Sequence, residues 1–205
     1  MNDSLLAGAR PSGRPRPAAF LDRDGTLIDD TDYVYGPEDV ALLPGAASAV
    51  RALNDAGWLV FVVTNQSGVS RGHFSHAELR RTNERVAALL ARDGARLDAV
   101  FYCPHLPWSG CGCRKPDTGM IEEACRRFAV DRSASWVIGD KRVDVELGRR
   151  AGFASALVLT GFGRWEGRLV RADLVAPDLH EAVRAILRLG AARSRAEGLP
   201  EAGRA

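Results

Sequence analysis

The sequence predicts an α/β fold: one parallel sheet with helices on both faces, in three layers. Three observations lead there. Short apolar runs alternate with segments whose apolar residues recur at helical spacing, from about residue 18 to about residue 190. The longest run has no polar alternation, as strands buried on both faces read. Polar clusters follow the runs directly, and in a parallel sheet the carboxyl ends of the strands share one edge, where ligands bind.

The first strand covers about residues 18–22 and runs into Asp22-Arg23-Asp24-Gly25-Thr26. Residues 46–56 read as a helix with Ala46, Ala49, Val50 and Leu53 on one face, stopped by Gly57. Residues 58–63 form a second strand, ending in Thr64-Asn65-Gln66-Ser67-Gly68. Ser75 caps a long helix to about residue 94, with Glu78 completing a capping box. A third strand at 99–102 leads into a loop dense in Cys, Pro and Gly. A helix from Asp117 to about residue 129 follows, then a strand at 135–138 that ends in Gly139-Asp140-Lys141. A helix at 143–151, strands at 154–159 and 173–175, and a helix at 178–190 complete the pattern. Residues 1–17, rich in Pro, Arg and Gly, and residues 191–205 read as loose tails around one domain spanning 18–190.

Net charge is +2, but the two tails contribute +2 and +1, so the body between them is near −1. That argues against a nucleic-acid partner held by bulk charge. No apolar run is long enough to cross a bilayer, and no secretory h-region is visible, so the expectation is a cytoplasmic protein. A monomer is the default. Four cysteines in 205 residues do not make a disulfide scaffold, and three of them cluster.

Two constellations carry chemistry. Asp22 and Asp24 sit two residues apart at a strand end, where like charges need a cation or a shared proton. Mg²⁺ is the natural hard partner, with one Asp as nucleophile and the other as acid/base. Alone, the pentapeptide fits an acidic turn with an Asp cap equally well. The second constellation is Cys103-x-His105 and Cys111-x-Cys113, five residues apart. Three thiolates and an imidazole complete a tetrahedral Zn²⁺ shell and leave no position for water, so such a site is structural. Buried thiols beside a surface His are the competing reading, and the Pro and Gly between the ligands favour zinc. Cys125 reads as core. Zinc at Cys113 would fix where Arg114 and Lys115 point.

These motifs, with Thr64 after a strand and Gly139-Asp140 after another, resemble the haloacid dehalogenase (HAD) superfamily of phosphatases, over about residues 18–163. The zinc pattern joined to Arg114-Lys115-Pro116, and Ser67-Gly-Val-Ser-Arg-Gly72, resemble its D-glycero-D-manno-heptose-1,7-bisphosphate 7-phosphatase family. Histidinol-phosphate phosphatase is a related family and stands as the alternative.

The resemblance implies a HAD-like Rossmannoid sheet and a Mg²⁺-dependent sugar-phosphate phosphatase. Asp22 would be the nucleophile and Asp24 the acid/base. Thr64 and Lys115 would hold the phosphoryl oxygens. Asp22, Asp140 and the Asp24 carbonyl would hold Mg²⁺. Arg114 would bind substrate, and Lys141 would bridge to the nucleophile or the phosphate. Asp30, Thr31, Asp32, Tyr33, Asn65, Gln66 and Ser67 would line the sugar site. Asp144, one turn after Asp140, would pair or cap on its helix or touch a metal-bound water. The short inter-strand segments leave no room for a large cap domain, so selectivity is expected from loops 30–37, 65–74 and 104–116.

Overall fold

The computed structural model describes residues 13–30, 34 and 36–196, with side chains described to residue 192. Six strands form one parallel sheet: β1 (Ala18–Leu21), β2 (Leu59–Asn65), β3 (Ala99–Cys103), β4 (Trp136–Gly139), β5 (Ala154–Val158) and β6 (Leu174–Ala176). Their spatial order is β3-β2-β1-β4-β5-β6. The chain steps outward from β1 to β3, returns to lay β4 against the other side of β1, and steps outward again. Phe20 of β1 is in register with Phe61 of β2 and Val137 of β4. Such a reversal opens a crevice beyond the strand carboxyl ends, beside the central strand.

The strands separate two cores because successive side chains point to opposite faces. Ala19 and Leu21 face a core closed by the helices α1 (Ala46–Asp55), α2 (His76–Arg92) and α6 (Leu179–Ala196). Ala18 and Phe20 face the other, closed by α3 (Gly119–Arg127) and α4 (Arg142–Ala151). There Phe20 lies 5.1 Å from Phe61 and 5.3 Å from Phe153, ring centre to ring centre. The expected capping box forms at α2, where Ser75 accepts the Glu78 amide and Glu78 accepts the Ser75 amide.

Some boundaries differ from the sequence reading. α3 begins at Gly119 rather than Asp117, because 112–119 folds back on itself: the Asp117 amide bonds the Arg114 carbonyl, and the Gly119 amide bonds Gly112. α6 runs past residue 190 to Ala196, as its Ala and Arg residues favour helix strongly enough to carry Gly190. Residues 1–12 and 197–205 of the expected tails lie outside the described residues. Arg16, assigned to the first tail, is hydrogen-bonded to the carbonyls of Gly57 and Trp58. A four-residue helix, α5 (Gly163–Glu166), was not expected, being too short to show a period. It carries Trp165, which is 76% exposed. Cys125 packs against one core as expected, and Trp136 is buried in the other.

Candidate active site

The carboxyl edge of the sheet gathers the polar clusters. A cleft of about 570 Å³ lies over it, lined among others by Asp22, Asp24, Thr64, Arg114, Lys115 and Lys141. Asp22 leaves β1 nearly buried. Its Oδ1 accepts the Arg23 amide at 2.8 Å and Lys115 Nζ at 2.8 Å. The chain then turns sharply at Gly25, whose φ of 82° a side chain would resist, and closes through the Gly25 amide to the Ile28 carbonyl. The Asp24 carbonyl is not among the acceptors of that turn's backbone bonds.

Asp140 follows β4, fully buried. Oxygens of Asp22, Asp140 and Asp144 lie within 4.8 Å of one another. Asp140 Oδ2 accepts the Phe162 amide at 2.8 Å, while Asp140 Oδ1 is buried with no partner among the described residues. Burial, and then the Asp22 charge, push the Asp140 carboxyl up to about 8. Burial also raises Asp22, but Lys115 and Lys141 outweigh it and hold Asp22 below the ordinary carboxylate range. An ionised carboxylate thus faces one that keeps a proton unless a cation replaces it. An orphaned carboxylate oxygen beside a second carboxylate fits a hard divalent ion.

Three residues singled out from the sequence have definite partners. Lys115 lines the cleft. It is buried, and its three donors go to Asp22 at 2.8 Å, Asp144 Oδ1 at 2.6 Å and the Val63 carbonyl at 2.9 Å. Asp144 takes the pairing and capping role, since its Oδ2 accepts the Lys141 amide at 3.1 Å. Lys141 lines the cleft, and its Nζ bonds Asp30 at 2.8 Å and lies 3.8 Å from Asp140 Oδ2 and 4.8 Å from the centre of the Phe162 ring.

Within 65–67, Asn65 lines the cleft and Gln66 and Ser67 do not. Asn65 spends both arms of its amide on the Lys115 backbone, at 3.0 and 3.1 Å. Gln66 is buried and donates to Asp24 Oδ2 at 2.6 Å and Thr64 Oγ1 at 2.8 Å. Ser67 is half-buried and does not line the cleft. Thr31, Asp32 and Tyr33 lie outside the described residues.

The sequence reading missed the wall supplied after β5. Thr160 Oγ1 donates to the Gly25 carbonyl at 2.6 Å, and the Phe162 amide holds Asp140. Between them, a Cβ at Gly161 would run into Asp140 Oδ2 and the Gly25 Cα. A glycine between a Thr and a Phe just after a strand was the available signal. Arg23 and Asn83 were missed as well. Arg23 is 2% exposed and forks onto Asp24, and its Nη1 donates to Asn83 Oδ1 at 2.9 Å.

The Cys/His loop closes on itself. Cys103 Sγ is 3.5 Å from His105 Nδ1 and 3.5 Å from Cys111 Sγ, and His105 Nδ1 is 3.3 Å from Cys113 Sγ. All four ligand atoms lie within 4.8 Å of one another. A tetrahedron with zinc–ligand bonds of 2.0–2.3 Å has edges of about 3.5–3.8 Å, so the donor set and its size fit zinc. Burial raises the Cys111 thiol, but hydrogen bonds led by Ser109 and Cys103 outweigh it and bring it to about 6. Burial lifts Cys103 and Cys113. Arg114 Nη1 donates to the His105 carbonyl at 3.1 Å, which ties this half-buried, cleft-lining cation to the loop.

The raised carboxyl groups set a pH dependence for the metal-free protein. Between about pH 4 and about pH 8 the folded state keeps the Asp140 proton that the unfolded chain has released. Stability therefore falls as pH climbs through that window. Asp144, pushed up to about 6 by burial and by Asp22 against the pull of Lys115, adds to the fall between about pH 4 and 6. Asp22 works in the opposite sense but only below its ordinary value. Chelator-treated protein is expected to melt progressively lower at pH 5, 6.5 and 8, and Asp140→Asn to flatten the trend.

An acidic Asp-x-Asp-Gly-Thr turn after the central strand of a parallel sheet, facing a buried Asp after β4, marks a hydrolase of the HAD superfamily, and residues 112–182 match a HAD-hydrolase-like family model. The chain is 44% identical over 185 residues to the D-glycero-D-manno-heptose-1,7-bisphosphate 7-phosphatase of Thermosynechococcus vestitus, covering 82% of this chain and 94% of that one. It is 37% identical to the corresponding D-glycero-beta-D-manno-heptose enzyme of Pseudomonas aeruginosa, over 84% of this chain and 98% of that one. The crystal structure of D,D-heptose 1,7-bisphosphate phosphatase from B. bronchiseptica, complexed with magnesium and phosphate, superposes with a TM-score of 0.80 at 37% identity, covering 84% of this chain and 99% of that one. The chain belongs to the D-glycero-D-manno-heptose-1,7-bisphosphate 7-phosphatase family.

Proposed function

We infer that this protein is a Mg²⁺-dependent phosphatase that removes the C7 phosphate of D-glycero-D-manno-heptose 1,7-bisphosphate. The observation that carries the reading is that Asp22, Asp24, Thr64 and Lys115, from two strand ends and one loop, line a single cleft, with the buried Asp140 of a third strand end within 4.8 Å of Asp22. The names of the relatives supply the sugar and favour it over histidinol phosphate.

Asp22 Oδ2 attacks phosphorus, and the bond from phosphorus to the sugar oxygen breaks. Asp24 gives its proton to that oxygen. A water molecule then gives a proton back to Asp24 and attacks the aspartyl-phosphate, releasing inorganic phosphate and restoring Asp22. Asp22, Asp140 and the Asp24 carbonyl would hold Mg²⁺, whose charge lowers the repulsion between carboxylate and phosphate dianion. Lys115 fixes Asp22 Oδ1, which aims the other oxygen. Thr64 offers its hydroxyl to the phosphoryl group. Arg114, on the cleft wall, suits the second phosphate with its planar fork.

Release of phosphate from the heptose bisphosphate and from histidinol phosphate, compared by rate and by ³¹P NMR, tests the assignment. A faster reaction with the heptose compound, losing the C7 signal and keeping the C1 signal, is expected. Preference for histidinol phosphate would reject it.

Zinc on Cys103, His105, Cys111 and Cys113 belongs to the same proposal, as a structural ion. Cys113→Ser is expected to carry no zinc by elemental analysis and to lose more than about 3 kcal/mol of stability. A zinc-free wild type of equal stability would contradict it. A cytoplasmic monomer is part of the same reading. None of the four cysteines is in a disulfide, which suits a reducing compartment. No described helix is long and apolar enough to cross a membrane.

A further inference from the structure

We propose that Arg23, Asn83 and Gln66 form a cradle that aims the Asp24 carboxylate, and that Gln66 is a positioning residue for proton transfer rather than a sugar contact. The proposal rests on the reading of Asp24 as the group that exchanges protons with the leaving oxygen.

Arg23 is a charged side chain with 2% of its surface exposed. Burying it is costly unless it is paired, and such pairs are weak ground for stability in themselves. What Arg23 does with its donors is specific. Nε reaches Asp24 Oδ1 at 3.0 Å, and Nη2 reaches Oδ1 at 2.8 Å and Oδ2 at 3.1 Å. Nη1 is anchored on Asn83 of α2 at 2.9 Å, so the guanidinium plane cannot turn. Two donors therefore occupy Oδ1. Oδ2 is left on the side of Thr64 Oγ1, at 3.5 Å, with the Gln66 amide 2.6 Å away.

This geometry selects one oxygen of Asp24 as the proton carrier. Oδ2 faces Gln66 and the cleft-lining Thr64, while Oδ1 takes two of the three Arg23 bonds to the carboxylate, the shortest included. As the phosphorus–oxygen bond breaks, the Oδ2 proton passes to the leaving alkoxide, and the carboxylate left behind accepts the Gln66 N–H. When water is activated, the proton returns to the same oxygen. A carboxylate free to rotate would spend little of its time in that orientation. Gln66 itself is buried, outside the cleft lining, and both of its amide hydrogen bonds go inward to Asp24 and Thr64.

The test compares esters that differ in their need for a proton. A sugar phosphate releases an alkoxide that must be protonated, whereas p-nitrophenyl phosphate releases a stable phenolate. Single-turnover release of the leaving group isolates this step from hydrolysis of the aspartyl-phosphate. In Gln66→Met, close in shape but without the donor, release from the sugar phosphate is expected to slow at least about tenfold, against less than about threefold for the aryl ester, with KM for the sugar phosphate unchanged. Arg23→Lys, which keeps the charge and loses the fork, is expected to show the same selectivity in protein whose circular dichroism matches wild type. Equal slowing of both esters, no slowing, or a raised KM without selectivity in Gln66→Met would overturn the proposal. Asp24→Asn is the reference. If it shows the selectivity and Gln66→Met does not, the cradle alone fails. If it shows none, the role of Asp24 fails with it.

Discussion

Asp22→Asn is expected to lose at least about 10³-fold in kcat while folding normally, because the attacking oxygen of an amide is a poor nucleophile and its loss cannot be shared by neighbours. The geometry adds a second expectation. Asp22 is the charge that, after burial, pushes Asp140 up to about 8. Neutralising it lowers the cost of ionising Asp140, so the metal-free variant should lose stability less steeply with pH than wild type. Full activity in Asp22→Asn would reject the nucleophile. An unchanged pH slope would reject the coupling between the two carboxyl groups.

Lys115→Met is expected to be the most destabilising single change in the site. The lysine is a buried cation, raised above its ordinary value by Asp144 and Asp22 despite the opposing effect of burial. Removing it leaves three buried carboxyl groups without the cation that two of them contact. Breaking a buried pair in this way costs about 3–5 kcal/mol. For a domain of this size that corresponds to a fall of roughly 10 °C in Tm. Added Mg²⁺ is expected to return part of the loss, since a second cation can serve the same carboxylates. A Tm within about 2 °C of wild type would contradict this account of Lys115.

The sheet and its ligand-bearing edge were legible because parallel strands are buried on both faces and read as unbroken apolar runs. Leu59 to Val63 is the clearest case. Helix α2 announced itself through Ser75 and Glu78. The Cys/His cluster was legible because four ligands lie within eleven residues, so chain length alone keeps them close. The polar wiring was not legible, since it depends on which donor meets which acceptor across the sheet. Lys115 and Asp144 are far apart in sequence, and only packing shows that the lysine's three donors are consumed. Nothing in the sequence marks Arg23, between two aspartates, as buried, yet β1 and α2 close over it. The wall at Thr160–Phe162 has no charged residue to draw notice, and it acts through a backbone amide, a hydroxyl and the absence of a Cβ.

A crystal of the protein grown with Mg²⁺ and beryllium fluoride, which adds to a carboxylate as a phosphoryl mimic, tests the shared site most directly. The expected result is the fluoride adduct on Asp22 Oδ2 with one magnesium ion bound by Asp22, the Asp24 carbonyl and Asp140 Oδ1. A cation held elsewhere, or an adduct on any other residue, would contradict it.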